Sequence, residues 1–326
     1  MIGINGMGRI GRTFFRVLHQ NGKLKSLAAI NDIMPKEHLI YLLQFDTVRG
    51  KFPVKIQSTE RGISVDDHEI LVYDKSEPKE IPWAESEVSI AVESTGVFTK
   101  KESLQGHIAA GAKKAILTTT GGEHVPLYIL GVNHSDYKNE EVFSIGSCTV
   151  NGTAPLVKAL ADFKPQSIYL NVIHAYSARQ NILDSYYPEI RRSRASADNI
   201  IPLDINLDLS LERLFPVMKD KIKSITSRVP IPCGVLTDLT MTLDNPPASS
   251  EELMEHLKQV ADTDLNGIMD ITADPIVSSD VLHDSHSLII DSGFSHIMNG
   301  HAKLMLWFDN EWGFSNRLRE WTERLM

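Results

Sequence analysis

The sequence predicts an α/β chain in two parts: a doubly wound parallel sheet first, then an α+β domain with a mainly antiparallel sheet. Two observations lead there. Up to Ser147, short apolar runs alternate with stretches of helical periodicity, and beyond it longer strand-like runs surround few helices.

The opening sets the pattern. Ile2-Gly3-Ile4-Asn5 is a short apolar strand, residues 10–20 carry Ile10, Phe14, Val17 and Leu18 at helical spacing, and residues 27–30 form a second strand. Strands are then expected at 88–92, 114–117, 127–132 and 143–145, with a helix over 102–110 that Gly111 closes. After Cys148, the spacing of Val157, Leu160 and Ala161 marks a helix; Pro155 suits a first turn but kinks a helix that has already begun at Cys148. Further on, strands at 168–173, 235–243 and 304–308 surround a helix over 249–261, whose Ser249 and Glu252 have capping-box spacing. From Asn316, Leu318, Trp321 and Leu325 share one helical face, so a last helix packs back onto the body. No internal repeat or long flexible linker interrupts this order.

Size and charge narrow the classes. With 326 residues and 42% apolar content, the chain is long enough for two domains, each with its own core. Two cysteines cannot build a disulfide framework. The apolar runs are too short to span a membrane and no charged-then-apolar leader precedes the first glycines, so a cytoplasmic protein is expected. A formal charge of −9 argues against a nucleic-acid or anionic-membrane partner while leaving room for a local basic pocket.

Between the first strand and the first helix, Gly6, Gly8 and Gly11 spell G-x-G-x-x-G, and Asp32 closes the second strand 21 residues past Gly11. Glycines there let the backbone approach a pyrophosphate at a helix N-terminus, whose unpaired N–H groups and dipole favour anions. The same glycines can also serve packing alone, but strand, helix and acid together make a Rossmann-type dinucleotide site the better reading. Asp32 accepts hydrogen bonds from an adenosine ribose and repels a 2′-phosphate, so NAD is expected over NADP.

Cys148 lies in Ser147-Cys148-Thr149-Val150-Asn151, ahead of a helix whose unpaired amides can lower a thiol pKa and hold an oxyanion. A cysteine in such a place is otherwise a small buried apolar residue. Cys233, between Pro232 and Gly234, has no comparable setting. Among twelve histidines, His174 ends an apolar strand and precedes a polar segment. A thiol adds to an aldehyde, an imidazole takes the proton, and the adduct can give up a hydride to a nicotinamide. Three arginines within 191–194 fit a solvated face or the rim of a phosphate site, and spacing alone does not choose between them.

Across essentially its whole length the chain resembles the glyceraldehyde-3-phosphate dehydrogenase family, including its erythrose-4-phosphate dehydrogenase branch. The resemblance rests on Asn5-Gly6-Met7-Gly8-Arg9-Ile10-Gly11-Arg12, Ile30-Asn31-Asp32, Glu93-Ser94-Thr95-Gly96, Ser147-Cys148-Thr149, His174-Ala175-Tyr176, Arg228-Val229-Pro230 and Trp307-Phe308-Asp309-Asn310-Glu311-Trp312-Gly313. It implies Cys148 as nucleophile and His174 as its acid and base. It implies a cofactor groove of Gly6, Gly8, Arg9, Ile10, Gly11, Asn31, Asp32, Ser94, Thr95, Gly96 and Thr118, with Asn310 orienting the nicotinamide carboxamide. Ser177 and Arg228 are implied to hold the substrate phosphate, and Ser147 and Thr149 the inorganic phosphate that releases an acyl phosphate. No metal is implied. A homotetramer is, with the segment after His174 reaching a neighbour's cofactor site.

The implied division is an NAD-binding domain over 1–147, completed by a C-terminal helix at 310–326, and a catalytic domain over 148–309. The expected reaction is oxidation of glyceraldehyde 3-phosphate with inorganic phosphate. Three departures bear on it. Val150 and Gly152 stand where the family usually has threonine and cysteine, leaving the nucleophile intact. Ile205 and Asn206 stand where the common enzymes carry Thr-Gly, which removes a hydroxyl from the attacking-phosphate site, and the resemblance has Arg179 partly offset this by adding positive charge near the substrate. Residues 184–216 and 286–314 look closer to the erythrose-4-phosphate branch, so oxidation of that aldose with water as acceptor is the alternative. A member that binds NAD and serves a regulatory role is the alternative of another class.

Overall fold

Residues Ile2–Asn5, buried throughout, form β1 in the middle of an eight-stranded sheet. In the computed structural model, which describes residues 1–326, the chain forms two units. The first comprises Met1–Tyr128, Ser135–Ser147 and Ser315–Met326; the second comprises Ile129–His134 and Cys148–Phe314.

In the first unit β1 leads into α1 (Arg9–Gln20), β2 (Leu27–Asn31), α2 (Lys36–Gln44) and a small ribbon of β3 (Phe45–Asp46) and β4 (Gly50–Lys51). There follow β5 (Gln57–Ser58), β6 (Gly62–Val65), β7 (His68–Tyr73), β8 (Ile90–Glu93), α3 (Lys101–Ala109), β9 (Lys114–Leu117) and β10 (Val142–Ser144). The sheet order is β10-β9-β8-β1-β2-β7-β6-β5. From β10 to β7 every pairing is parallel, and β5, β6 and β7 pair antiparallel at one edge. Trp83 is buried against Ala29, Val88 and Ala91, filling the space that Gly3 leaves: a β-carbon there would sit 2.6 Å from the indole. Register then does the positioning. Asn5 lies opposite Asn31 on one side and Glu93 on the other, and Glu93 lies opposite Leu117. The next residue of each strand is Gly6, Asp32, Ser94 or Thr118, so four expected cofactor residues stand in a row past the carboxyl ends of parallel strands.

The second unit holds α4 (Cys148–Ala159), β11 (Pro165–Ala175), β12 (Ile201–Leu203), α5 (Leu207–Leu214), β13 (Ile222–Val229) and β14 (Val235–Leu243). It continues with α6 (Ser250–Asp262), β15 (Met269–Thr272), β16 (Leu288–Met298), β17 (His301–Phe308) and the start of α7 (Trp312–Leu325). Its sheet runs β12-β13-β11-β14-β17-β16-β15, antiparallel except for β11 with β13 and β15 with β16. This is the mixed α/β architecture expected from the sequence, a parallel-rich sheet and a mainly antiparallel one. At one end the register lines up Ile201, Arg228, His174, Val235 and Phe308 across five neighbouring strands. Ser249 caps α6 by accepting the Glu252 amide at 3.2 Å, while the Glu252 carboxylate reaches the amide of Ala248 rather than of Ser249.

One local expectation is corrected, and two helix starts are fixed. Residues 127–132 do not form a strand: Leu127 makes one bridge to Ser144, and beyond it the chain turns, with Gly131 at φ +78. The run is apolar because it is buried coil, and the Lys158 ammonium bonds the Gly131 and Val132 carbonyls at 3.0 and 2.9 Å. The helix after Cys148 begins at Cys148 itself and carries Pro155 in its interior. The last helix begins at Trp312, inside the 310–326 stretch expected for it and one turn before the periodicity that starts at Asn316.

Candidate functional site

The first unit gathers the expected dinucleotide residues at the carboxyl ends of its strands. Gly6 takes φ +93, and a β-carbon there would meet the Thr95 amide at 2.6 Å. At Gly11 a β-carbon would meet the Gly6 carbonyl at 2.2 Å, so glycine lets helix and loop touch. Gly8, by contrast, faces open space and precedes a helix with no acidic residue in its first turn. Backbone N–H groups there are approachable by an anion. Asp32 accepts the amides of Met7 and Met34 at 2.5 and 2.9 Å, which ties the glycine loop to the end of β2. Ser94 Oγ donates to the Gly6 carbonyl at 2.6 Å, Thr118 Oγ1 donates to the Glu93 carbonyl at 3.0 Å, and Gly96 turns the chain at φ +70. Ile10 is half-buried in the first turn of α1. Arg9 is paired with Asp46. Burial alone would raise the Asp46 carboxyl, but the Arg9 hydrogen bond and the Arg49 amide outweigh it and hold it at about 2.

Beneath this row lies a polar chain that the sequence reading missed. Glu93, with no exposed surface, receives the Thr95 amide at 2.9 Å and the Thr95 hydroxyl on Oε1, and Asn5 Nδ2 at 2.6 Å and His107 Nε2 at 3.0 Å on Oε2. Trp83 Nε1 donates to His107 Nδ1 at 3.0 Å. An indole N–H only donates, so Nδ1 bears a lone pair and Nε2 carries the proton given to Glu93. Asn5 also accepts from Asn31, whose amide is further bonded to Lys75 at 2.9 and 2.8 Å. Asn31 is therefore committed inside the unit. Only the adjacency of an acid to Ser94-Thr95-Gly96 signalled this chain; His107 and Trp83 lie on other segments.

In the second unit, α4 begins at Cys148 and β11 ends just past His174, bringing Cys148 Sγ within 3.7 Å of His174 Nε2. Thr149 is buried, its hydroxyl 3.8 Å from the same sulfur. Burial pushes the Cys148 thiol up, and Thr149 and Arg228 pull the other way without reversing it. The amides at the helix start act in the lowering direction, and burial opposes them. His174 is held down at about 3, by burial first and the Arg228 charge second, against the Ala175 carbonyl. Both influences favour the uncharged forms, a thiol beside a neutral imidazole.

Arg228 sits opposite His174 in register; its Nη1 contacts His174 Nδ1 and donates to the Ala175 carbonyl at 2.9 Å. Burial, reinforced by the like charges of Arg192 and Arg179 against the opposing influence of Cys148, lowers Arg228 to about 10. Ser177 bonds Gln180 through its hydroxyl at 2.8 Å and receives the Arg179 amide at 3.3 Å. Arg192, left undecided among the arginines of 191–194, is buried and paired with Glu189. Asn310 lies just past β17, and its Oδ1 accepts Gly234 N–H at 3.0 Å. A backbone amide only donates, so the accepting atom is the oxygen and Nδ2 is directed away. Cys233, buried, adds a contact to the same oxygen at 3.4 Å. Ser147 is half-buried at the end of the first unit's stretch, and Asn206 precedes α5 at φ 53. No cluster of metal-ligating side chains is present, and no helix is long and apolar enough to cross a membrane.

The comparisons with known proteins cover both units. Residues 1–101 match the NAD binding domain, and residues 147–310 the C-terminal domain, of glyceraldehyde 3-phosphate dehydrogenase. The chain is 38% identical to glyceraldehyde-3-phosphate dehydrogenase 2 of Streptomyces avermitilis, over 98% of this chain and 97% of that protein. It is 39% identical to the glyceraldehyde-3-phosphate dehydrogenase of Streptomyces coelicolor over the same shares, and 37% identical to that of Borreliella burgdorferi over 100% of this chain and 99% of that protein. A glycine loop at a helix start, a thiol within reach of an imidazole, and matches spanning both halves lead to one conclusion: the chain belongs to the glyceraldehyde-3-phosphate dehydrogenase family.

Proposed function

We propose that this protein oxidises glyceraldehyde 3-phosphate with NAD and inorganic phosphate to 1,3-bisphosphoglycerate, through a thioester on Cys148. The observation that carries the reading is the approach of Cys148 Sγ to His174 Nε2 at 3.7 Å, beside an arginine in register. Domain roles follow the sequence: 1–147 with 310–326 binds NAD, and 148–309 carries the chemistry.

The residues fit NAD. Gly8 leaves the start of α1 open to a pyrophosphate, the Asp32 carboxylate suits a ribose diol, and Asn310 has its amide nitrogen available for a carboxamide. NAD, when bound, supplies the hydride acceptor. Arg9, Ile10, Gly11, Ser94, Thr95, Gly96 and Thr118 shape its groove, with Asn31 holding the loop from behind.

Cys148 Sγ bonds to the aldehyde carbon while its proton passes to His174 Nε2 and from there to the carbonyl oxygen, giving the thiohemiacetal and freeing Nε2. Loss of hydride from that carbon, with the hydroxyl proton taken up by His174, leaves the thioester. Inorganic phosphate, held by Ser147 and Thr149, then attacks the carbonyl carbon; the C–S bond breaks and the sulfur leaves as thiolate. Ser177, Arg179 and Arg228 hold the substrate's own phosphate. Buried donors without a partner at Arg228 Nε and Gln180 Nε2 support an anion there. The protein works in the cytoplasm as a homotetramer.

The deciding assay measures initial NADH formation from glyceraldehyde 3-phosphate and from erythrose 4-phosphate, each with and without phosphate. Fast, phosphate-dependent turnover of the three-carbon aldose is expected. Preference for erythrose 4-phosphate without phosphate, or turnover surviving in Cys148→Ser, overturns the reading.

A further inference from the structure

His174 Nδ1 has two polar neighbours that require opposite things of it. The Ala175 carbonyl, 2.8 Å away, accepts only and calls for an N–H; Arg228 Nη1 donates only and calls for a lone pair. Arg228 Nη1 also donates to the Ala175 carbonyl at 2.9 Å, so that oxygen is satisfied without the histidine. With Arg228 docked, Nδ1 therefore bears the lone pair and the single proton of the neutral ring sits on Nε2, facing Cys148 Sγ. A ring in that state cannot take a proton from the thiol. Adding a second proton at Nδ1 would set two cations side by side, in keeping with the low basicity of His174.

We propose that Arg228 is a specificity switch for the base: a phosphate dianion of the substrate draws the guanidinium off His174, Nδ1 then carries the proton toward the Ala175 carbonyl, and Nε2 turns its lone pair to the Cys148 thiol. Protons balance, since the ring gives one up to solvent at Nε2 and regains one at Nδ1. Only afterwards does the S–H proton move to Nε2 as the C–S bond forms. Little motion is required. Strand pairing fixes the backbones of residues 174 and 228, leaving the long arginine side chain to shift. Arg179 and Arg192 are near enough to repel Arg228, and an anion entering among the three relieves that repulsion. An aldehyde lacking phosphate would bind without waking the base, so discrimination falls on kcat as well as on KM.

The proposal rests on the roles of Cys148 and His174 given above, and its sign separates it from simple electrostatics. An anion near a thiol disfavours the thiolate, and losing Arg228 does the same, so charge alone makes both changes slow alkylation. The switch makes both speed it. The test is the rate of Cys148 alkylation by uncharged iodoacetamide in the NAD-free full chain at neutral pH, with inorganic phosphate or with sodium chloride at matched ionic strength. Phosphate should accelerate labelling by about tenfold, Arg228→Gln should be fast in chloride and indifferent to phosphate, and His174→Asn should abolish the acceleration. Slowing or no change with phosphate, or a slower Arg228→Gln, overturns the switch. Should that variant fail to fold, nitrogen NMR of the His174 ring in the parent chain decides: phosphate should convert Nδ1 from lone pair to N–H, and an unmoved tautomer overturns the proposal. Labelling of Cys148 no faster than of Cys233 under every condition overturns the proposed function itself, and the switch with it.

Discussion

The ring of Phe308 occupies the space where a side chain on Gly152 would begin: a β-carbon there would lie 2.7 Å from its edge. Gly152 is on α4 and Phe308 ends β17, so this contact seats the helix bearing Cys148 on the sheet bearing His174. Gly152→Cys, which restores the residue usual in the family, must displace the ring or the helix. Overpacking of this kind costs about 1–3 kcal/mol. Chemical denaturation should show a lowered midpoint with an unchanged slope, and an unaltered midpoint would mean that Phe308 yields freely.

Glu93→Gln tests the buried chain under the row proposed to bind the cofactor. Four donors converge on the carboxylate, and an amide can accept on only one of its two terminal atoms. Some donor is orphaned in either orientation, at about 1–3 kcal/mol. Because Thr95 is among the donors, NAD affinity measured by calorimetry should fall about tenfold. Cys148 alkylation without NAD should be unaffected, and equal NAD affinities would reduce Glu93 to a packing role.

At Asp32 the carboxylate is both a tether for the Met7 and Met34 amides and the expected ribose acceptor. Asp32→Gly removes the acceptor and the charge that opposes a 2′-phosphate. The ratio of kcat/KM for NAD over NADP should drop by about tenfold or more, since one hydrogen bond to a charged group contributes about 1.5–3 kcal/mol. An unchanged ratio would place the ribose elsewhere.

Acid stability should report on His174. Its folded value of about 3 lies below the ordinary 6.5, so the unfolded chain binds the extra proton between those limits and stability falls as pH drops through that window. Asp46, at about 2 against 3.8, stabilises the fold above 3.8 and loses that contribution only as pH falls further. Urea midpoints from pH 7 to 4.5 should therefore decline less steeply in His174→Asn than in the parent. Parallel declines would mean that protonation at position 174 is shared by both states.

The fold of the first unit was largely legible because its signal is local. Gly6, Gly8, Gly11 and Asp32 fall within one strand-helix-strand unit, and strict periodicity marked its elements. What stayed hidden depends on partners distant in sequence. β13 went unread because Lys223, Ser224, Thr226 and Ser227 dilute its apolar pattern, yet it delivers Arg228 beside His174. The stretch 127–132 was misread for the converse reason, apolar residues being needed in buried coil as much as in strands. The tautomer of His107 and the divided loyalties of His174 Nδ1 are settled by neighbours that no spacing rule connects.

The alignment of Arg228, His174 and Val235 on adjacent strands makes the proposed reactive end of the second sheet unforgiving of insertions and deletions. Lengthening β13 or β11 by one residue upstream of the row would turn the guanidinium or the imidazole to the opposite face, since side chains alternate along a strand. Variation in length should accordingly be confined to the connecting loops, while a frame slip within either strand dismantles the chemistry even if the domain still folds.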